Sequence, residues 1–337
     1  MPLNVPSARP YPGEATLVGN DPYRTPSAAP TRAEKDQLLN APAELDWSTI
    51  GFLTVAHLLA GVGVWWAIAH FNAWTLLLGF GWFLLCGSSI TAGYHRLFAH
   101  RTYEASWGLR LVALLFGAAS VQNSVLHWAN NHRVHHSKVD KDGDPYNIKR
   151  GFFWAHIGWV LYRDHETEFK RVRDLRADPL VLWQHRYYVP LAIAVGALLP
   201  TLLGALWGDA IGALLIAGFL RLVVQYHITF ATNSLAHTLG ARPYDRSTSA
   251  RDHFLTAVLT LGEGYHNFHH RFQNDYRNGV RRRDFDPTKW LIWSLSRVGA
   301  VQNLRRVPEE KIIRARRVAL ESSRAELGAS DASASSS

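Results

Sequence analysis

Four stretches of this chain, residues 50–70, 73–94, 189–207 and 210–236, are apolar over about 20 residues each, the length at which a helix crosses a bilayer. Lipid offers no partner to backbone N–H and C=O groups, so such stretches must satisfy themselves as helices. The expected fold is therefore an all-α integral membrane protein with four transmembrane helices. A 47% hydrophobic composition hides this, because the apolarity is concentrated in those stretches. Residues 1–45 are rich in Pro, Ala and charge and 322–337 form a Ser/Ala tail, so both are expected to be mobile. Residues 46–295 form the expected membrane domain, and 296–337 a basic helix with its low-complexity tail. The opening MPLNVPSARPYPGEATL has no apolar stretch, so the first span rather than a cleavable signal is expected to direct insertion.

Eight of the 17 histidines fall into three clusters. His95 and His100 lie in HRLFAH, His132, His135 and His136 in HRVHH, and His266, His269 and His270 in HNFHH. Residues three and four beyond a first one share its helical face, so each HxxHH presents three imidazoles in one direction. Neutral imidazole is a common metal ligand, and spacing alone leaves iron, zinc, copper and nickel open. Cys86 is the only cysteine and lies in an apolar stretch, which excludes an internal disulfide and a cysteine-ligated cluster and leaves a packing role. The one Met is the initiator, so thioether ligation is absent too.

If the three clusters build one site, the chain must cross the membrane an even number of times between them. A fifth apolar segment, 107–126, separates His100 from His132 and so must not cross. Arg110, Gln122 and Asn123 interrupt it and would be costly against lipid, which suits an interfacial helix. The spans then pair into two hairpins, joined at Phe71-Asn72 and Gly208-Asp209, with no Lys or Arg in either connection. Basic residues crowd 137–188 and 241–324 instead, so the positive-inside rule puts the histidine-bearing helical cap and both termini in the cytoplasm. The net charge of +9 reads as topology and contact with anionic headgroups, not as a nucleic-acid surface.

The segments TAGYHRLFAHRTYE, QNSVLHWANNHRVHH, DPYNIKRGFFWAHIGW, NSLAH and GEGYHNFHHRFQNDYRNG closely resemble the membrane acyl-CoA desaturases of the delta-9, stearoyl-CoA type, over about residues 46–295. The resemblance implies a di-iron centre held by the eight box histidines and His237, with Asn233 acting through water. It also implies O2 and two external electrons as co-substrates, a cis double bond in a saturated acyl thioester as product, and acyl-CoA as the carrier. No cytochrome b5 domain is visible, so a separate donor of the ferredoxin or cytochrome b5 type, with its reductase, is expected. Gln122 and Trp128, assigned to the interfacial helix, and Thr229 in the last span are expected at the bend of a buried acyl tunnel. Phe83 and Gly87 are expected toward its methyl end, with Gly87 setting chain length. Asn123 and Arg163 resemble headgroup contacts. Asp164, and Asn130-Asn131 where animal members carry Arg-Asp, depart from the pattern and leave acyl carrier protein or a lipid-linked chain open.

His156 is expected to support a metal ligand from behind. His127, His165, His185, His227 and His253 read as support, interface or packing residues, and His57 and His70 show no partner in sequence. DKDGDP at 140–145 reads as a turn, since its Gly is misplaced for a calcium loop. Two other readings remain: a histidine-rich membrane hydroxylase or alkane monooxygenase, and a membrane metal-binding or transport protein.

Overall fold

The computed structural model describes residues 44–163 and 169–334. Most of the 1–45 segment, Asp164, His165 and the last three residues of the tail lie outside the described residues. Four helices among those described are long and apolar enough to cross a membrane: α1 (Trp47–Ala69), α2 (Ala73–Ala99), α5 (Tyr188–Ala205) and α6 (Ala210–His237). Val55, Leu58, Trp65 and Ile68 of α1 stay exposed, as expected of a surface facing lipid rather than a water-facing amphipathic helix.

Three of the four spans, α1, α2 and α6, start where a side chain serves orphan N–H groups. Asp46 accepts from Ser48 and Thr49 ahead of α1, Asn72 from Trp74 and Thr75 ahead of α2, and Asp209 from Gly212 ahead of α6. Asp209 also accepts from Trp66 Nε1 at 3.1 Å and Thr75 Oγ1 at 2.6 Å, and Trp207 Nε1 donates to Thr75 Oγ1 at 2.9 Å. The two hairpin turns are thereby tied together at the end opposite the histidines.

The apolar segment after the first box is two helices, not one. Helix α3 (Trp107–Ala119) spans 13 residues, too short to cross. The expected interfacial helix to residue 126 ends seven residues early, because Val121 and Asn123 adopt φ of +51° and +71°. Tertiary bonds hold that turn: Tyr226 Oη donates to the Val121 carbonyl, Gln225 Nε2 to Ser120 Oγ, and the Asn123 N–H to Tyr188 Oη. Helix α4 (Val125–Lys138), capped by Ser124, then carries the second box, so Trp128 belongs to α4 and Gln122 to the turn.

Arg221 is buried within α6, where a cation needs compensation. The α5 and α6 spans each contain a π-wound segment, Ala194–Leu198 and Leu214–Leu220. Arg221 donates to the carbonyls of Gly196 and Ala217 in those segments and of Ala119 at the end of α3. Arg221→Leu strands these acceptors and is expected to cost at least about 1–3 kcal/mol. A thermal melt in detergent checks this; an unchanged midpoint would show that the carbonyls are satisfied otherwise.

The chain after α6 returns over the histidine end. Helix α7 (His266–Arg271) carries the third box and α8 (Pro287–Arg297) buries Ile292. Strand β2 (Val301–Gln302) then pairs antiparallel with β1 (Glu104–Ala105), and α9 (Glu309–Ala334) follows.

Candidate metal centre

Positions five apart on an α-helix point about 140° away from each other. The first box avoids this by changing the winding: Ser89–Ala99 of α2 is a π-helix, and the His100 N–H reaches the His95 carbonyl at 3.0 Å. The two rings come together with centroids 4.8 Å apart. This is also why α2 runs five residues past the expected end at 94.

Arginines of the boxes join them to one another. Arg133 of HRVHH donates to the carbonyls of Phe98 and Ala99 at the end of α2, and to the Arg171 carbonyl and both Asp174 oxygens. Arg96 of HRLFAH, 1% exposed, donates to the Tyr276 carbonyl, to both oxygens of Asp286 and to Glu263. In the third box, buried Asn267 bonds the loop at Tyr244, Asp245 and Ala250. Asp252 accepts from the N–H groups of Asn267 and Phe268 and so fixes the start of α7.

Nine imidazoles converge as a result, in two adjacent groups. His95, His100, His132, His136 and His269 form one, and His135, His237, His266 and His270 the other; within each group the ligating atoms lie within 4.8 Å of one another. The groups touch where His136 stacks on His270, with centroids 4.4 Å apart. The Nε2 atoms face inward, at 2.7 Å for His100–His132, 3.0 Å for His95–His269 and for His136–His269, and 3.1 Å for His266–His270. His237 Nε2 is buried without a hydrogen-bond partner. Facing lone pairs and an orphan nitrogen fit bound cations, and a wholly imidazole donor set suits a transition metal.

Burial and the crowding of neighbouring imidazoles hold His100, His132, His136, His269 and His270 well below the ordinary imidazole range, and His266 at about 3. They are neutral, as ligands must be. Between about 6.5 and the folded value the unfolded chain binds protons that the native state does not, so stability rises with pH across that window. The melting temperature of metal-free protein is expected to fall when the pH drops from 7 to 5. A flat profile would contradict buried neutral imidazoles.

The partners behind the histidines are carboxylates that sequence reasoning missed. Glu263 accepts from His95 Nδ1 at 2.9 Å, and Asp144 from His135 Nδ1 at 2.8 Å. Burial alone would raise the Glu263 carboxyl, but His95 and Arg96 hold it below its ordinary value. The GEGY motif aims this side chain: Gly262 has φ +101°, and a Cβ on Gly264 would sit 2.1 Å from the Ala257 nitrogen. DKDGDP is indeed a turn, yet its Asp144 points inward. The signal available in sequence was acidic residues just after HRVHH and just before HNFHH.

His156 does not support the centre as expected. Its Nδ1 pairs with Ser234 Oγ at 2.9 Å and its Nε2 with His227 Nδ1 at 3.1 Å, while His227 Nε2 meets His57 Nε2 at 3.1 Å. These three rings form a separate chain between α1, α6 and the Phe152–His156 helix, which gives His57 and His227 their partners. His185 bonds Ser124, His253 caps the Phe254–Leu259 helix, and His70 stacks on Trp66.

Three expected tunnel residues meet. Trp128 Nε1 donates to Gln122 Oε1 at 3.3 Å and Gln122 Nε2 to Thr229 Oγ1 at 2.9 Å, bridging α4 to α6, while the Trp128 ring stacks on His132. Gly87 is buried, and a side chain there would meet Leu261 Cδ1 at 3.0 Å, so Leu261 occupies part of the space assigned to it. Phe83 is half-buried, four residues earlier on α2. Asn123 and Arg163 are exposed, whereas Asn130 and Asn131 are buried. Asn233 lies half-buried one turn before His237, at the point where α6 tightens to a 3₁₀ turn. Cys86 is buried in packing.

Four membrane-length helices with nine imidazoles gathered at one end define an integral membrane protein built around two adjacent histidine cages able to hold metal. The fatty acid desaturase family model matches residues 72–280. The chain is 45% identical over 241 residues to the "Probable acyl-CoA desaturase" of Schizosaccharomyces pombe, covering 71% of this chain and 50% of that one. It is 41% identical over 246 residues to Acyl-CoA desaturase 1 of Saccharomyces cerevisiae, covering 72% and 48%. Against stearoyl-CoA desaturase of Sus scrofa it is 36% identical over 277 residues, covering 80% and 77%. The chain thus spans about half the length of the two yeast proteins and most of the pig one. It belongs to the fatty acid desaturase family.

Proposed function

We propose that the protein is an O2-dependent desaturase that introduces a cis double bond, at delta-9, into a saturated acyl thioester carried by CoA. The convergence of nine imidazoles beside the Trp128–Gln122–Thr229 bridge carries this reading, and the names of the acyl-CoA and stearoyl-CoA desaturase relatives support its substrate. Two iron ions held by the nine histidines, with Asn233 through water, would supply the O2 chemistry needed to break unactivated C–H bonds. The chain's own work is to hold and orient. Glu263 and Asp144 keep His95 and His135 protonated on Nδ1, leaving Nε2 free to ligate. The bridge fixes a rigid wall beside His132, against which methylenes can be held and from which water is excluded. Phe83, Gly87 and Leu261 line the methyl end, and exposed Asn123 and Arg163 suit a phosphate-bearing headgroup.

The histidine cap and both termini face the cytoplasm in this reading, because the basic segments 137–188 and 241–324 lie on that side. The two electrons come from a separate protein. A polar cleft of about 290 Å3, lined by His100, Arg133, His136, Gln273 and Asn274, opens toward the centre and would admit such a donor. Its basic surroundings favour an acidic ferredoxin or cytochrome b5 surface.

Expression in a desaturase-deficient host, with gas chromatography of the cellular fatty acids, tests the proposal. Delta-9 monounsaturated chains that require O2 are the expected outcome. Hydroxylated chains would assign the protein to the related hydroxylases, and an unchanged profile would remove the desaturase activity.

A further inference from the structure

We infer that Ser249 and Asp140 are positioning residues for the four-histidine cage, holding His237 in its ligating form from two loops outside every histidine box. The inference rests on the two-metal reading above.

Ser249 Oγ lies 2.7 Å from His237 Nδ1 and 2.5 Å from Asp140 Oδ1. A serine hydroxyl has one hydrogen, and a carboxylate only accepts, so that hydrogen goes to Asp140. Ser249 Oγ must therefore accept from His237, which puts the imidazole proton on Nδ1. The lone pair is left on Nε2, the atom found buried and without a partner. Direction is thus fixed along the whole relay, from His237 through Ser249 to Asp140.

The relay is itself anchored. Asp140 Oδ2 accepts from the Ser249 N–H at 2.6 Å, and the Asp140 N–H donates to Asp144 Oδ2 at 3.2 Å. Asp140 adopts φ +63° to make this turn. One acidic turn therefore steers two of the four ligands of this cage, His135 directly through Asp144 and His237 through Ser249. Among the described residues neither aspartate is paired with a lysine or arginine, whereas the Glu263 behind His95 in the other cage shares its charge with Arg96. The acidic turn is a device of the four-histidine cage alone.

Anaerobic titration of the full metal-free chain in detergent with iron(II), read as bound iron per chain, tests this. In Ser249→Ala and Asp140→Asn one of the two equivalents is expected to bind about 10–100-fold more weakly, with the other unchanged. Ser249→Thr, which keeps the hydroxyl, should restore wild-type binding. Asp140→Asn should add nothing in a His237→Ala background but should weaken the remaining equivalent in a His100→Ala background. A melting temperature of metal-free Ser249→Ala equal to wild type would show that orientation, not folding, is what changed. Two equivalents unaffected by Ser249→Ala, or weakened alike, overturn the inference while leaving the two-metal reading intact. A wild-type chain that binds fewer than two equivalents overturns both.

Discussion

His237→Ala is expected to leave purified protein with one iron per chain instead of two and to reduce desaturation at least roughly 100-fold. His237 belongs to none of the three boxes, yet it is 4% exposed and its ring sits 4.9 Å from His266, 5.3 Å from His270 and 5.4 Å from His135. Its Nε2 has no partner in the protein, and its removal leaves Ser249 Oγ, which still donates to Asp140, without the donor it had in His237 Nδ1. What it removes is one of four donors to one cage. His156→Ala is the control, since the His156 ring bonds Ser234 and His227 and no member of the cages. Elemental analysis of both variants decides the matter. Two irons in His237→Ala, with activity intact, would mean that α6 supplies no ligand.

The second large effect is expected at Arg96. Its guanidinium holds two carboxylates, Asp286 by both oxygens at 3.1 and 3.0 Å and Glu263 at 2.9 Å, with all three side chains almost wholly buried. Arg96→Met leaves two buried carboxylates facing each other with no cation between them. Breaking a buried ion pair from one side costs about 3–5 kcal/mol. The same change frees Glu263 from its anchor and loosens the His95 tautomer, so metal retention should fall together with the melting temperature. Arg96→Lys cannot restore the two-pronged contact with Asp286 and is expected to rescue only part of the loss. A destabilisation under about 1 kcal/mol for Arg96→Met would show that Asn278 and the backbone already satisfy Glu263 and Asp286.

The spans were legible because membrane length and hydropathy leave few alternatives. Their ends fell within a few residues of the expected positions except on α2, which continues to Ala99. Histidine spacing alone cannot show the reason, because the π-winding that makes HxxxxH work is a backbone property with no residue signature. The break at Val121–Asn123 was hidden for a related reason. No glycine or proline marks it, and the left-handed turn is held by Tyr226, Gln225 and Tyr188, all distant in sequence.

At the site, residues with one dominant chemistry were readable and those acting through another residue were not. The histidines announced themselves by clustering. Asp140, Asp144 and Ser249 sit in stretches that look like ordinary polar turns, and only their inward direction gives them a role. His156 shows the converse error: a histidine in a well-matched segment was expected at the centre, yet it pairs with His227 and His57. Gln122, Trp128 and Thr229, read from sequence as tunnel-bend residues, hydrogen-bond in a row, although the first two lie on different elements from the one assigned.

The most direct test of the account is the product formed by purified protein loaded with iron and supplied with stearoyl-CoA, O2 and a reducing system. The account predicts two irons per chain and a single cis delta-9 product that disappears in His237→Ala. A hydroxylated product, or unaltered stearoyl-CoA from protein shown to carry both irons, would contradict it.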